Sequence, residues 1–270
     1  MKNLCNYLYG AHVRANGIRQ HYLRFGGNGA PIVIVPGVVT PAVLWMAVAD
    51  RLGALFDVYV LDVRGRGLSE SGPHLDYGFD ACADDLQAFL EAVGLFKVTV
   101  IGHSMGGRIG LRLVRRPQHN VQKLVMLDPP ASGPGRRPYP IPIEGSIQLV
   151  NAAQRGEAEA LLRSGNRAVW PEPLLRLRAE WLSTCDIRAA EVAYRDFHEQ
   201  DPYEDMAAAA CDSIVLVVAA GSGVILEDDI QDFRQVNPRL RVHAIPGAAH
   251  QLQVENFAEL MSVLEALLDA

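Results

Sequence analysis

Residues 97–107 read KVTVIGHSMGG, an apolar β-branched run that stops at Gly102, with Ser104 two residues on and Gly106 closing the pattern. The spacing Gly-x-Ser-x-Gly between a strand and the helical run IGLRLVRR predicts a nucleophile elbow. In such a turn the serine backbone is strained so that its Oγ stands above the sheet, and only small flanking residues let strand and helix come that close. A glycine-rich turn with an idle serine lacks the strand before and the helix after.

A serine hydroxyl is a weak nucleophile near neutral pH, so the elbow carries chemistry only if a base reaches it and an acid orients that base. Of eight histidines, His250 follows the apolar stretch RLRVHAIPGAAH, just ahead of the final helical run FAELMSVLEALLDA. That position gives the chain order serine, acid, histidine. His12, His21, His74 and His119 lie in polar surroundings without this context, which makes His250 the candidate base.

Two places offer the acid. The usual position lies three residues past the glycine that ends the strand SIVLVVAAG; here it is Val224, which has no carboxyl. Asp128 ends the preceding strand KLVMLD, at the carboxyl edge of a parallel sheet where ligands of open α/β sheets bind. Glu227, Asp228 and Asp229 precede the amphipathic run IQDFRQV, where acids cap a helix or oppose its dipole. These contexts favour Asp128 and leave Asp228 or Asp229 as the alternative. An oxyanion hole is expected from the backbone N–H groups of Val38, in the loop after PIVIVPG, and of Met105, directly after the nucleophile.

Around these motifs the chain alternates as a parallel sheet covered by helices requires. Strands are expected at IRQHYLRF, PIVIVPG, DVYVLDV, VTVIG, KLVMLD, SIVLVVAAG and RVHAIPG, with helices around AVLWMAVADRL and FDACADDLQAFLEAVG. The loop DVRGRGLSESG lacks the Gly-Lys-Ser/Thr ending of a phosphate-binding loop and reads as a structural turn. The alternation breaks between about 133 and 205, where a proline- and glycine-rich entry leads into the helical stretches SIQLVNAAQ, EAEALLRSG, LLRLRAEWLSTC and AAEVAYRDFHEQ. The expected organisation is an α/β core over residues 1–132 and 206–270, with residues 133–205 inserted as a helical cap that excludes water and selects the substrate. Tyr139, Trp170, Trp181 and Phe197 are aromatic candidates for the pocket wall. Arg178 and His198 are candidates to bind a substrate carboxylate.

The 270 residues, 49% hydrophobic, suffice for one large core plus a cap. Cys5, Cys82, Cys185 and Cys211 show neither metal-ligand nor Cys-x-x-Cys spacing, which suits a reducing compartment. With no signal-peptide core and no apolar run near the roughly 18 residues of a membrane span, a cytoplasmic protein without membrane partner is expected. A net charge of −6, with basic residues only in pairs, speaks against a nucleic-acid partner. The sequence leaves the oligomeric state open.

With these motifs placed, the chain resembles the α/β-hydrolase superfamily over its whole length. More narrowly, ANGIRQHYLRFGG, YVLDVRGRGLSESGPHLDYG, LDPPASGPGRRPYP and RAEWLSTC are similar to the N-formylmaleamate deformylases of bacterial nicotinic acid and related pyridine degradation. The resemblance implies that the acid follows the strand where this chain has LDPP, which places the triad on Ser104, Asp128 and His250. It implies hydrolysis of the C–N bond of an N-formyl amide through a formyl-serine, on a small carboxylate-bearing substrate and with no cofactor or metal. A carboxylesterase, a lactonase or a carbon–carbon hydrolase would use the same three side chains under another cap. A dehalogenase or epoxide hydrolase would need an aspartate at position 104. A non-catalytic ligand receptor on the same fold is the other class, and the intact serine, acid and histidine set argues against it.

Overall fold

The computed structural model describes residues 4–164 and 170–268. Gly165, which ends EAEALLRSG, and Asp269 and Ala270, which end the final helical run, lie outside the described residues. Among the described residues the strands are β1 (Tyr7–Ala15), β2 (Ile18–Phe25), β3 (Pro31–Val35), β4 (Asp57–Leu61), β5 (Val98–His103), β6 (Val121–Leu127), β7 (Ser213–Ala219) and β8 (Arg241–Ile245). They form one sheet in the order β1-β2-β4-β3-β5-β6-β7-β8. β1 and β2 are antiparallel to their neighbours, and every pairing from β4 to β8 is parallel.

The helices follow in chain order: α1 (Met46–Leu52), α2 (Phe79–Val93), α3 (Met105–Val114), α4 (Ile143–Gln154), α5 (Ala158–Ser164), α6 (Glu172–Trp181), α7 (Ile187–Glu199), α8 (Pro202–Ala207), α9 (Glu227–Val236), α10 (Leu252–Glu255) and α11 (Phe257–Leu268). Parallel strands need crossovers that lay helices on the sheet, so the central strands are apolar on both faces. On one face Val33, Val35, Val100, Leu124, Met126 and Leu216 pack with Leu86, Phe89, Ile109 and Leu113 of α2 and α3. On the other, Ile32, Ile34, Ile101, Val125 and Val217 pack with Trp45, Val48, Leu260 and Leu264. Period-two alternation along each strand thus feeds two separate cores. No described helix is long and apolar enough to cross a membrane.

β1 is absent from the strands expected above. It is an edge strand, exposed along most of its length, so the apolar run that marks the central strands is missing. The turn that makes it is nevertheless written in the chain: Asn16 and Gly17 have φ of 50° and 75°. Two consecutive left-handed residues are what a two-residue type I′ hairpin needs, and Asn-Gly is its preferred pair.

Between β6 and β7 stand α4 to α8, with no intervening strand among the described residues. Val150, Leu162, Trp170, Leu175 and Leu182 form a third apolar cluster with Val39, from the loop after β3. The helical insertion is therefore seated over the carboxyl ends of the strands. The last of these helices, α8, packs on α3 and α9 in the layer that covers the sheet.

The tightest approach in the core is at the elbow. A Cβ on Gly106 would lie 1.9 Å from the Val35 carbonyl oxygen, and one on Gly102 would lie 2.3 Å from the Gly106 carbonyl oxygen. Both obstacles are main chain and cannot swing aside. Gly106→Ala is expected to cost about 3 kcal/mol or more, because a single methyl there must part a strand from a helix. Urea denaturation of the variant against wild type measures this; a shift below about 1 kcal/mol would mean that the elbow relaxes freely.

Candidate active site

Ser104 has φ 51° and ψ −116°, a conformation that L side chains rarely adopt, and it stands between the end of β5 and the first residue of α3. Its N–H bonds to the Leu127 carbonyl at 2.9 Å, tying the turn to the end of β6. One residue beyond that strand, Asp128 also has positive φ, 47°, which aspartate tolerates better than most residues. Its N–H bonds to the Val217 carbonyl at 2.8 Å, and its Oδ1 accepts from Ala219 N–H at 3.2 Å. The neighbouring strand β7 thus holds both ends of the residue.

His250 lies between β8 and α10 and bridges the two. Its Nδ1 is 2.7 Å from Asp128 Oδ2 and its Nε2 is 3.1 Å from Ser104 Oγ. The carboxylate only accepts, so Nδ1 carries the hydrogen and Nε2 presents a lone pair to the serine hydroxyl. Asp128 is wholly buried, so its charge acts on the imidazole without competition from water.

The other acid candidates belong to the first turn of α9, where Glu227 and Asp228 are exposed and Asp229 is buried. Asp229 Oδ2 accepts from Leu226 N–H at 2.8 Å and pairs with Arg137, and its Oδ1 accepts from the Tyr203 hydroxyl. It is a first-turn acid of α9. Val224, in the usual acid position, is buried against the core.

A cavity of about 240 Å³ opens above Ser104. Gly37, Val38, Tyr139, Phe197, Arg178 and Glu255 are among its walls. The Tyr139 hydroxyl is 3.3 Å from His250 Nε2, and burial holds its pKa above the ordinary tyrosine value, so it stays a donor. Arg178 is buried, and among the described residues it is the one arginine or lysine on the cavity wall. Its guanidinium carbon stands 5.1 Å over the Trp170 ring. Glu255 accepts from Trp170 Nε1–H at 2.9 Å.

Trp170, Trp181 and His198 are not on this wall. Trp170 closes the apolar cluster of the insertion, and Trp181 packs at the margin of the sheet core. His198 sits behind Tyr139. Its Nε2 accepts from Tyr139 N–H at 3.2 Å, and its Nδ1–H donates to the Tyr194 carbonyl at 2.9 Å. With both ring nitrogens engaged by main chain, it fixes the segment that carries Tyr139 and is not turned to the cavity. Thr40, Ser146, Tyr194 and Gln251 also line the cavity. They come from four separate loops and helices, so no local spacing in the sequence marks them.

His103 precedes the nucleophile and is buried. Its Nε2–H donates to the His250 carbonyl at 2.8 Å. Burial, helped by the neighbouring His250, holds its pKa down at about 3, so the ring is neutral at working pH. The folded value lies below the value of about 6.5 in an unfolded chain, and on acidification the unfolded chain takes the proton first. The stability that depends on neutral His103 is full above pH 6.5 and is lost as pH falls towards 3. Wild type is expected to lose up to about 1.4 kcal/mol per pH unit more than His103→Gln in that window. Urea midpoints at pH 7, 6, 5 and 4 measure this, and parallel acid slopes in the two proteins would assign the loss to other groups.

Comparison with known proteins agrees with the geometry. The family model for the alpha/beta hydrolase fold matches residues 30–142. Over 98% of both chains the sequence is 42% identical to an N-formylmaleamate deformylase of Pseudomonas putida. The crystal structure of an N-formylmaleamic acid deformylase from the same species superposes with a TM-score of 0.90, at 42% identity, over 95% of this chain and all of the other. An esterase of Escherichia coli is 28% identical over 84% of this chain and 89% of its own. The chain belongs to the α/β-hydrolase family, and it is an enzyme, a hydrolase. Within that class its kin are the N-formylmaleamate deformylases.

Proposed function

We propose that this hydrolase cleaves the C–N bond of an N-formyl amide, converting N-formylmaleamate and water to maleamate and formate. The observation that carries the reading is the chain of contacts Asp128–His250–Ser104, on the floor of a small cavity whose wall holds one buried arginine. The 42% identity over nearly the whole of a curated deformylase supports the choice of substrate.

In this reading Ser104 Oγ attacks the formyl carbon while its proton passes to His250 Nε2. The oxyanion is received by Val38 N–H and by Met105 N–H, the first donor of α3, where a helix has N–H groups without internal partners. His250 returns the proton to the amide nitrogen, the C–N bond breaks and maleamate leaves. Water, deprotonated by His250, then attacks the formyl-serine and releases formate, which restores the serine hydroxyl. Asp128 stabilises the imidazolium in both halves. The residues supply every group the reaction needs, so no cofactor takes part. The helices between β6 and β7 act as the cap, Tyr139 offers its hydroxyl to the substrate beside the nucleophile, and Arg178 pairs with the substrate carboxylate. The site of action is the cytoplasm, a reading in keeping with four cysteines that form no disulfide among the described residues.

Formate release from freshly generated N-formylmaleamate tests the proposal, with a short-chain p-nitrophenyl ester alongside. Rapid formate release is expected, with poor ester turnover. Ser104→Ala should lower kcat about 10⁶-fold and Asp128→Ala about 10⁴-fold, while both variants remain folded. Fast ester cleavage without formate would keep the triad and discard the substrate in favour of an esterase. A second expectation concerns Arg178→Met: KM for N-formylmaleamate should rise at least about 30-fold, the worth of a charge-assisted contact, and KM for a neutral formyl amide should change little. Equal losses on both substrates would remove Arg178 from carboxylate binding.

A further inference from the structure

The turn Val63–Ser71 between β4 and α2, rich in glycine and arginine, has so far only a structural part. Arg66 within it is 1% exposed, among the most deeply buried side chains of the protein. Its guanidinium reaches four groups. Nε–H donates to the Val38 carbonyl at 2.8 Å, Nη1–H to the Arg64 carbonyl at 2.8 Å, and Nη2–H to the Ala189 carbonyl at 2.7 Å, with Met105 Sδ at 3.5 Å from the same Nη2. Among the described residues no carboxylate forms a salt bridge with Arg66, and burial pushes its pKa below the ordinary arginine value.

Two of those groups belong to the residues read above as the oxyanion donors, and a third belongs to α7 in the insertion. The fork of a guanidinium can hold divergent acceptors in one plane, which an ammonium cannot. The same turn docks α7 at a second point, where Asp186 N–H donates to the Gly65 carbonyl at 2.8 Å. The Tyr77 hydroxyl donates to Asp186 Oδ2 at 2.8 Å and closes that contact. The seated insertion and the Val38 loop therefore share one rigid pin.

We propose that Arg66 is a positioning residue that sets the oxyanion hole: it anchors the loop through the carbonyl of Val38, the residue whose N–H is the donor, packs the side chain of Met105, and makes the geometry of both donors depend on the seated cap. This rests on the reading of Val38 and Met105 as oxyanion donors, and it holds for any acyl substrate. A buried cation held by three carbonyls and a thioether, all neutral, beside the place where negative charge develops, costs desolvation that packing alone would not require.

The test uses Arg66→Met and Arg66→Lys in the full-length enzyme. It measures kcat and KM for N-formylmaleamate and for the p-nitrophenyl ester, and the rate at which a fluorophosphonate labels Ser104. Misplacing the donors should lower kcat on both substrates about 10- to 100-fold, with KM within about two-fold, and should slow labelling in proportion. Arg66→Lys should fall in the same direction by at least about five-fold, since one ammonium cannot reach both Val38 and Ala189. It decides the matter if Arg66→Met does not fold. Wild-type kcat in folded Arg66→Lys, or a loss that appears in KM alone, would overturn the proposal. Failure of the substrate reading shows separately, as wild type that cleaves ester but releases no formate; the ester and labelling measurements then still decide the part of Arg66.

Discussion

The backbone of Ser104 is held at a positive φ by contacts that leave no room for anything larger than hydrogen on either side. Gly106 lies against the Val35 carbonyl and Gly102 against Gly106, so β3, β5 and α3 meet at van der Waals distance around one turn. That closeness turns the side chain of residue 104 away from the core and towards the loops at the carboxyl ends of the strands. It also puts Met105 at the first position of α3, where the helix has unsatisfied donors to offer. Strain at Ser104 is sustained by two apolar cores, one on each face of the sheet, that fix the strand and the helix independently.

Asp128 and His250 reach the serine by the same logic. Asp128 stands directly past β6 with a positive φ, and His250 stands in the loop after β8, so the carboxyl ends of two strands flanking β7 present a carboxylate and an imidazole to the nucleophile. Asp128 N–H donates to the Val217 carbonyl and the carboxylate accepts from Ala219 N–H, which makes the residue part of the sheet. A residue held in this way loses little freedom when it orients the base, which is what an orienting group needs in order to act.

The central strands, the elbow and the histidine were legible because each rests on a local pattern: an apolar run, a glycine spacing, a break before the final helix. Asp128 could be read only through its place at a strand end, since the usual position holds Val224 and three acids stand just beyond it. The structure gives Asp229 to the first turn of α9. β1 escaped because an exposed edge strand lacks the apolar run, although Asn16 and Gly17 spell its turn. The cavity wall was legible only in part. Tyr139, Phe197 and Arg178 are on it, whereas Trp170, Trp181 and His198 are not. Residues of like type on amphipathic helices face the cavity or the cluster beneath according to how the helices pack on one another, and helical spacing alone does not choose between those faces.

Buried arginines join the inserted helices to the sheet, and this explains how a loop-rich junction can be rigid. Where helices and long loops replace strands, carbonyl groups are left without ladder partners, and each needs a donor if it is buried. Arg108 donates to the carbonyls of Pro130, Ser132 and Gln200, gathering the two ends of the insertion against α3. Its pKa is pushed down to about 10 by burial. Arg66 does the same between the Val38 loop and α7. Apolar contacts alone would let α7 slide, because they are non-directional. A guanidinium with several carbonyl partners fixes both distance and orientation, at the cost of desolvation that lowers the pKa of each group. Both pins lie within one turn of the elbow or of the loop that faces it, where a small displacement would matter most to the chemistry.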